Sequence, residues 1–199
     1  MSDLNIGVLG IQGAYEKHML AISLVGARAE LIKYREQLEQ IDGLILPGGE
    51  STTMSKMMGF RISYEDILTF AKKKPVFGTC AGLILLGKGV GDPRVHQFEL
   101  MDVTVSRNAY GSQKDSFVDD LILKFDPENP FHAVFIRAPL IEKTGKDIRV
   151  LATCDNKPVL IESVLYLGAS FHPELTLDSR IHAYFINKTK EIKNGKRFL

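Results

Sequence analysis

Cysteine is nearly missing from this sequence: Cys80 and Cys154 are the only two among 199 residues. Two thiols so far apart form no disulfide framework, which predicts a protein kept in a reducing, cytoplasmic compartment. Excess charge of either sign is missing too. Lys and Arg number 25 and Asp and Glu 24, a formal net charge of +1. No basic stripe exceeds the short run Lys72-Lys73-Lys74, which precedes a proline and reads as the solvated end of a helix, so nothing calls for nucleic acid. No apolar run is long enough to cross a bilayer, which argues against a membrane. Asp3 ahead of a strand pattern that starts by Ile6 is not the layout of a secretory signal. There is no internal repeat, no low-complexity tract and no linker. A chain of this length, 45% hydrophobic, predicts a single domain over residues 1–199 with a sizeable core.

What is there is an alternation. Short apolar runs at 5–9, 29–33, 43–46 and 76–77 read as strands. Helical patterns occupy about 15–25, 52–58 and 64–73. Gly10-x-x-Gly13 and Pro47-Gly48-Gly49 punctuate them. Strands alternating with helices through short Gly-rich turns predict a parallel sheet covered on both faces. After Gly91 the texture changes: β-like runs at 102–106, 121–125, 133–136, 150–153, 158–163 and 165–171 are separated by polar turns. A last helix spans roughly 179–193. The second half therefore predicts antiparallel additions to a doubly wound α/β sheet.

Chemistry concentrates at Gly78-Thr79-Cys80-Ala81-Gly82, between the apolar runs Pro75-Val76-Phe77 and Leu83-Ile84-Leu85-Leu86. A G-x-nucleophile-x-G pentapeptide between strand and helix reads as a nucleophile elbow. The tight turn forces one side chain into an unusual backbone geometry, and flanking glycines let neighbouring chain approach. Unpaired N–H groups at the helix start favour a thiolate. Taken alone, Cys80 reads first as a buried structural thiol, and only the groups at the other strand ends favour a nucleophile. Cys154, between strand-like Leu151 and turn-like Asp155-Asn156, reads as a core or edge thiol.

The second stretch is Phe171-His172-Pro173-Glu174, which falls at another strand end, where open α/β sheets place ligands. Residues two apart in extended chain point to one side, and Pro173 holds this stretch extended. His172 can then take a thiol proton while Glu174 fixes its tautomer. The other histidines offer less. His18 and His182 sit in helical patterns, where a solvated or partly packed ring is the default; His96 and His132 lie in polar turns. No spacing suits a metal, and none is expected.

Pro47-Gly48-Gly49-Glu50-Ser51-Thr52-Thr53 turns backbone N–H groups toward an anion, as an oxyanion hole does; it is also compatible with a Gly-rich turn followed by a helix cap. Arg107 and Arg137 both follow β-like runs, where a guanidinium either grips a substrate carboxylate or pairs with a surface acid.

Six segments in order now resemble a known family. They are G-V-L-G-I-Q-G (7–13), D-G-L-I-L-P-G-G-E-S-T-T-M (42–54), F-G-T-C-A-G (77–82), R-N-A-Y-G (107–111), F-I-R-A-P (135–139) and F-H-P-E-L-T (171–176). Together they resemble the glutaminase subunit of pyridoxal 5′-phosphate synthase. P-G-G-E-S-T with F-I-R-A-P separates it from other triad (class I) glutamine amidotransferases. The resemblance implies a flavodoxin-like, mostly parallel sheet and hydrolysis of L-glutamine to L-glutamate and ammonia. It also implies a large heteromeric complex in which a separate synthase subunit takes up the ammonia to make pyridoxal 5′-phosphate. No cofactor is implied for this chain. Matched by position, Cys80 is the nucleophile, His172 its base and Glu174 the orienter. Gly49, Glu50, Ser51, Arg107, Ile136 and Arg137 match glutamine-binding positions, with backbone N–H groups around Gly48, Gly49 and Ala81 holding the oxyanion. Gln12 lies in the segment near the synthase interface. One departure is Ser112, where such proteins tend to carry Arg; residues 59–64 and 91–97 match no family pattern.

Overall fold

Short, wholly apolar strands form the centre of the computed structural model, which describes residues 4–59, 61–107 and 116–196. In chain order the first half runs β1 (Asn5–Leu9), α1 (Tyr15–Leu24), β2 (Arg28–Ile32), β3 (Gly43–Leu46), α2 (Ser51–Met57), α3 (Tyr64–Ala71), β4 (Val76–Thr79) and α4 (Ala81–Leu86). The second half runs β5 (Val103–Ser106), β6 (Ser116–Leu123), β7 (Asp126–Ile136), β8 (Leu140–Thr144), β9 (Arg149–Cys154), β10 (Lys157–Glu162), β11 (Tyr166–Ala169) and α5 (Arg180–Lys193).

Side chains alternate across a strand, so β3 and β4 feed both faces of the sheet. Leu44, Leu46 and Val76 join one apolar cluster; Ile45 and Phe77 join the other. The first cluster is closed by α2, α3, α4 and the β5–β8 pair, the second by α1, α5 and the β6–β7 hairpin. The main sheet has the order β2-β1-β3-β4-β11-β10-β9. β2 through β11 pair parallel, and β10 and β9 add on antiparallel. This is the expected doubly wound, flavodoxin-like α/β architecture with antiparallel additions. The chain winds outward from β1 to β2 and then reverses to β3, and ligands in such sheets sit beyond the carboxyl ends of strands near that reversal.

Two expectations for the second half need correction. The run 121–125 is not one strand: Lys124 and Phe125 form the turn of a long hairpin. Asp126-Pro127-Glu128-Asn129-Pro130, which looks like a turn, belongs to β7. β7 pairs with a strand on one side only, in a two-stranded sheet, and a proline is tolerated in such an edge strand. His132 accordingly lies in β7 rather than a turn, exposed, with Nδ1 2.9 Å from Oδ1 of its cross-strand neighbour Asp120. No helix among the described residues is long and apolar enough to cross a membrane.

Candidate active site

Cys80 is the residue at which β4 stops. Its N–H still donates to the Ala169 carbonyl at 2.8 Å, continuing the β4–β11 ladder. Its φ of 48° and ψ of −103° then break the strand and start α4. That region is strained for a residue with a Cβ, by roughly 1–3 kcal/mol, and strain of this kind gathers at functional sites. The neighbouring glycines make the turn possible. A Cβ on Gly78 would lie 2.5 Å from the Gly82 carbonyl group, and one on Gly82 would collide with the Leu46 carbonyl oxygen. Helix and sheet therefore touch backbone to backbone, and Cys80 is lifted toward Ile136, whose carbonyl oxygen is 3.9 Å from Sγ.

His172 arrives from the neighbouring strand end. Its N–H donates to the Val134 carbonyl at 2.9 Å, so the hairpin strand β7 holds it in place. Pro173 does not keep the chain extended, as the sequence suggests; it opens a 3-10 turn over Pro173–Leu175. The two side chains still meet, with His172 Nδ1 2.8 Å from Glu174 Oε1. Burial disfavours a charged His172, but hydrogen bonds to Cys80 and Glu174, and the charges of both, outweigh it and push the imidazole up to about 10. Burial likewise raises Glu174, yet His18 and His172 together hold it below the usual carboxylate range. Sulfur, imidazole and carboxylate thus form one buried line, the arrangement that nucleophilic catalysis needs.

A cleft of about 180 Å³ opens over this line. Gly49, Glu50, Ser51, Cys80, Arg107, Ile136, Arg137 and His172 line it, with Ile84, which the sequence did not single out. Gly48 lies behind: a Cβ there would strike His172 Cε1 and come within 2.9 Å of Nδ1 and 3.4 Å of the Cys80 Cβ. Ala81 is buried in the first turn of α4. The Ser51 hydroxyl is buried at the wall without a hydrogen-bond partner among the described residues. Arg137 has a φ of 43°, a second strained position in the same cleft. Arg107 is braced from two sides: Asp92 Oδ2 is 2.7 Å from Nη1, and Glu50 Oε1 is 3.5 Å from Nη2. Asp92 is a holder of Arg107 that no motif revealed. Gln12 faces inward as well, its Oε1 accepting from the Glu50 N–H at 3.3 Å. The rest of R-N-A-Y-G, from Asn108 on, and Ser112 lie outside the described residues.

Glu50 also caps α2, accepting from the backbone N–H groups of Thr52 and Thr53. Hydrogen bonds from the Thr52 and Thr53 side chains, then from their backbones, lower its carboxyl to about 2. A folded value below the ordinary 4.5 means a contribution present above that pH and lost as pH falls toward 2. Glu50→Gln, the isostere of the protonated form, is therefore expected to melt below wild type near neutral pH. That gap should close as pH approaches about 2, followed by thermal unfolding across the range. A gap independent of pH would refute it.

His18 and His182 depart furthest from expectation. Neither is solvated: their relative exposures are 0% and 1%. Their rings lie 2.9 Å apart, Nδ1 to Nε2, and His18 Nε2 reaches to 3.4 Å from Glu174 Oε2. A signal was present. His18 shares its face with Ala21 and Ile22, and His182 with Phe185 and Ile186, the i, i+3, i+4 stripe of a buried helix face.

A strained cysteine on a doubly wound sheet, aligned with a His–Glu pair beneath a small polar cleft, defines the class of cysteine-dependent acyl-transfer enzymes. Residues 8–191 match the SNO glutamine amidotransferase family, and the chain belongs to that family. It is 48% identical over 188 residues to the pyridoxal 5′-phosphate synthase subunit PdxT of Solibacter usitatus, covering 92% of this chain and 98% of that one. The PdxT of Bacillus anthracis is 49% identical over 195 residues, with 97% and 98% covered. A crystal structure of a glutamine amidotransferase superposes with a TM-score of 0.87 at 38% identity, covering 93% and 98% of the two chains. The structure of PurLQS from Thermotoga maritima, at 16% identity, shares the fold alone (TM-score 0.61, 97% of this chain and 99% of that one).

Proposed function

We propose that this chain is the glutaminase subunit of a pyridoxal 5′-phosphate synthase, one amidotransferase domain that acts in the cytoplasm and hands ammonia to a synthase subunit. The observation that carries the chemistry is the buried Cys80–His172–Glu174 line at the ends of β4 and β11. The names of its relatives support the synthase as partner.

The steps follow from the geometry. The Cys80 thiol passes its proton to His172 as the sulfur attacks the side-chain carbonyl carbon of L-glutamine, and the carbonyl electron pair moves to oxygen. Backbone N–H groups around Gly49 and Ala81 stabilise that oxyanion. As the C–N bond breaks, His172 gives its proton to the departing nitrogen, and ammonia leaves. The γ-glutamyl thioester remains on Cys80. Water loses a proton to His172, attacks the thioester carbon, and L-glutamate leaves as sulfur takes the proton back. Throughout, Glu174 keeps the proton-bearing Nδ1 of His172 fixed and its Nε2 toward sulfur. Arg107, Arg137 and Glu50 surround the cleft with the charges that an amino acid's carboxylate and ammonium require.

A glutaminase running without its partner wastes glutamine, so synthase docking near Gln12 is expected to complete the oxyanion hole. Mixing the chain with a pyridoxal 5′-phosphate synthase subunit and glutamine tests this, with glutamate release and complex size measured together. Little turnover alone and a rise in kcat of about 10² in the complex are expected, the worth of one oxyanion donor. Equal rates with and without the synthase would sink the partner-dependent step; no glutamate in either would sink the reading.

A further inference from the structure

The catalytic line does not end at Glu174. Its Oε1 is engaged by His172, but Oε2 is buried and accepts no hydrogen bond among the described residues. The nitrogen beside Oε2 is His18 Nε2 at 3.4 Å, from α1 on the far side. Thr79 Oγ1, one residue before the nucleophile, lies 3.3 Å from the same nitrogen. Behind it His18 Nδ1 meets His182 Nε2 from α5 at 2.9 Å, and both rings pack edge-on against Phe77.

The tautomers can be assigned by elimination. If His18 carried its proton on Nδ1, it would donate to His182 and turn the Nε2 lone pair on the Glu174 carboxylate. His182 would then hold a buried Nδ1–H with no acceptor among the described residues. Two penalties fall together: lone pair against anion, and an orphaned buried donor. With the proton on His18 Nε2, the N–H meets Thr79 Oγ1 at 3.3 Å and sets its positive end 3.4 Å from Oε2, and His182 Nε2–H donates to His18 Nδ1. Only an acceptor lone pair on His182 is left over. Burial favours the neutral form of both rings: it lowers His18 against the Glu174 charge, which raises it, and together with the neighbouring His18 it lowers His182 to about 3.

We propose that His18 is a positioning residue whose Nε2–H, with the ring locked by His182, holds the free oxygen of Glu174 and so keeps that carboxylate aligned on His172. A carboxylate held through one oxygen swings about its last torsion; contacts on both oxygens remove that freedom. α1 and α5 thereby serve the triad, although neither contributes a residue to the cleft.

The inference rests on the glutaminase reading, and its test separates the two. In the complex with the synthase subunit, His18→Leu is expected to lower kcat by about 10–100-fold with KM within about twofold. His18→Gln, whose amide N–H sits where Nε2–H was, should recover kcat to within about threefold; His18→Asn, whose amide falls short, should not. In a Glu174→Ala background, His18→Leu should cost less than about twofold more, since its effect runs through the missing carboxylate. The low-field NMR proton of His172 Nδ1, read on the free chain, should persist in His18→Gln and shift or vanish in His18→Leu and His18→Asn. Equal losses in the Gln, Asn and Leu variants, loss of fold in all three, or an undiminished His18→Leu enzyme would overturn the proposal. If the wild-type complex releases no glutamate while the proton follows the expected pattern, the positioning role stands and the substrate assignment falls.

Discussion

Cys80→Ser is expected to remove glutamate release almost entirely, a fall of at least about 10⁴-fold in kcat, while the protein stays folded. The substitution changes one atom and keeps the shape of the side chain, so the strained turn and its contacts survive. What disappears is the nucleophile. A hydroxyl is a far weaker acid than a thiol, and the His172 site is arranged around a sulfur rather than an alcohol. The large expected effect follows from the chemistry being covalent, because without an acceptor for the γ-glutamyl group neither half-reaction proceeds. Glutamate release in the presence of the synthase subunit, with the melting temperature of the same preparation, checks both halves. A glutamine analogue bearing a leaving group should label wild type at Cys80 and leave the variant unlabelled. Retention of a tenth of the activity would place the reaction elsewhere, Cys154 included.

Gly48→Ala has the second-largest expected effect, for a geometric reason. The added methyl would occupy the space of His172 Cε1 and crowd Nδ1 at 2.9 Å and the Cys80 Cβ at 3.4 Å. The imidazole is wedged between β7, which holds its backbone, and Glu174, which holds its Nδ1. It can escape only by leaving the line between sulfur and carboxylate. A displacement of about 1 Å at a reacting group costs on the order of 10²-fold in rate, and a loss of that size is expected in kcat. The bond from His172 to Glu174 should weaken as well, visible as a shift of the His172 ring resonances. Wild-type kcat in Gly48→Ala would show that Gly48 is a spacer of the turn and nothing more.

Much of the fold is legible in the residues. Gly43-Leu44-Ile45-Leu46 and Val76-Phe77 are too short and too apolar for anything but buried strands, and glycine-rich turns close them off. The hairpin β6–β7 was not legible at its turn, because Asp126-Pro127-Glu128-Asn129-Pro130 has the composition of a loop. Its strand character comes from pairing with β6, a non-local contact that outweighs local propensity. β8 (Leu140–Thr144) escaped for the same reason, as it is defined by its partner β5.

The candidate site divides along the same line. By itself the sequence determined which groups can do the chemistry: the elbow around Cys80, the proximity of His172 and Glu174 two residues apart, and the glycines before Glu50. These are local patterns, and backbone sterics and short-range spacing are written in consecutive residues. Tertiary structure alone decided that Cys80 and His172 face one another across β4 and β11, and that Asp92 braces Arg107. It alone brought His18 and His182, 164 residues apart, into contact behind Glu174. Helical periodicity says that a histidine is buried but not what it is buried against; that depends on which helices share a face of the sheet.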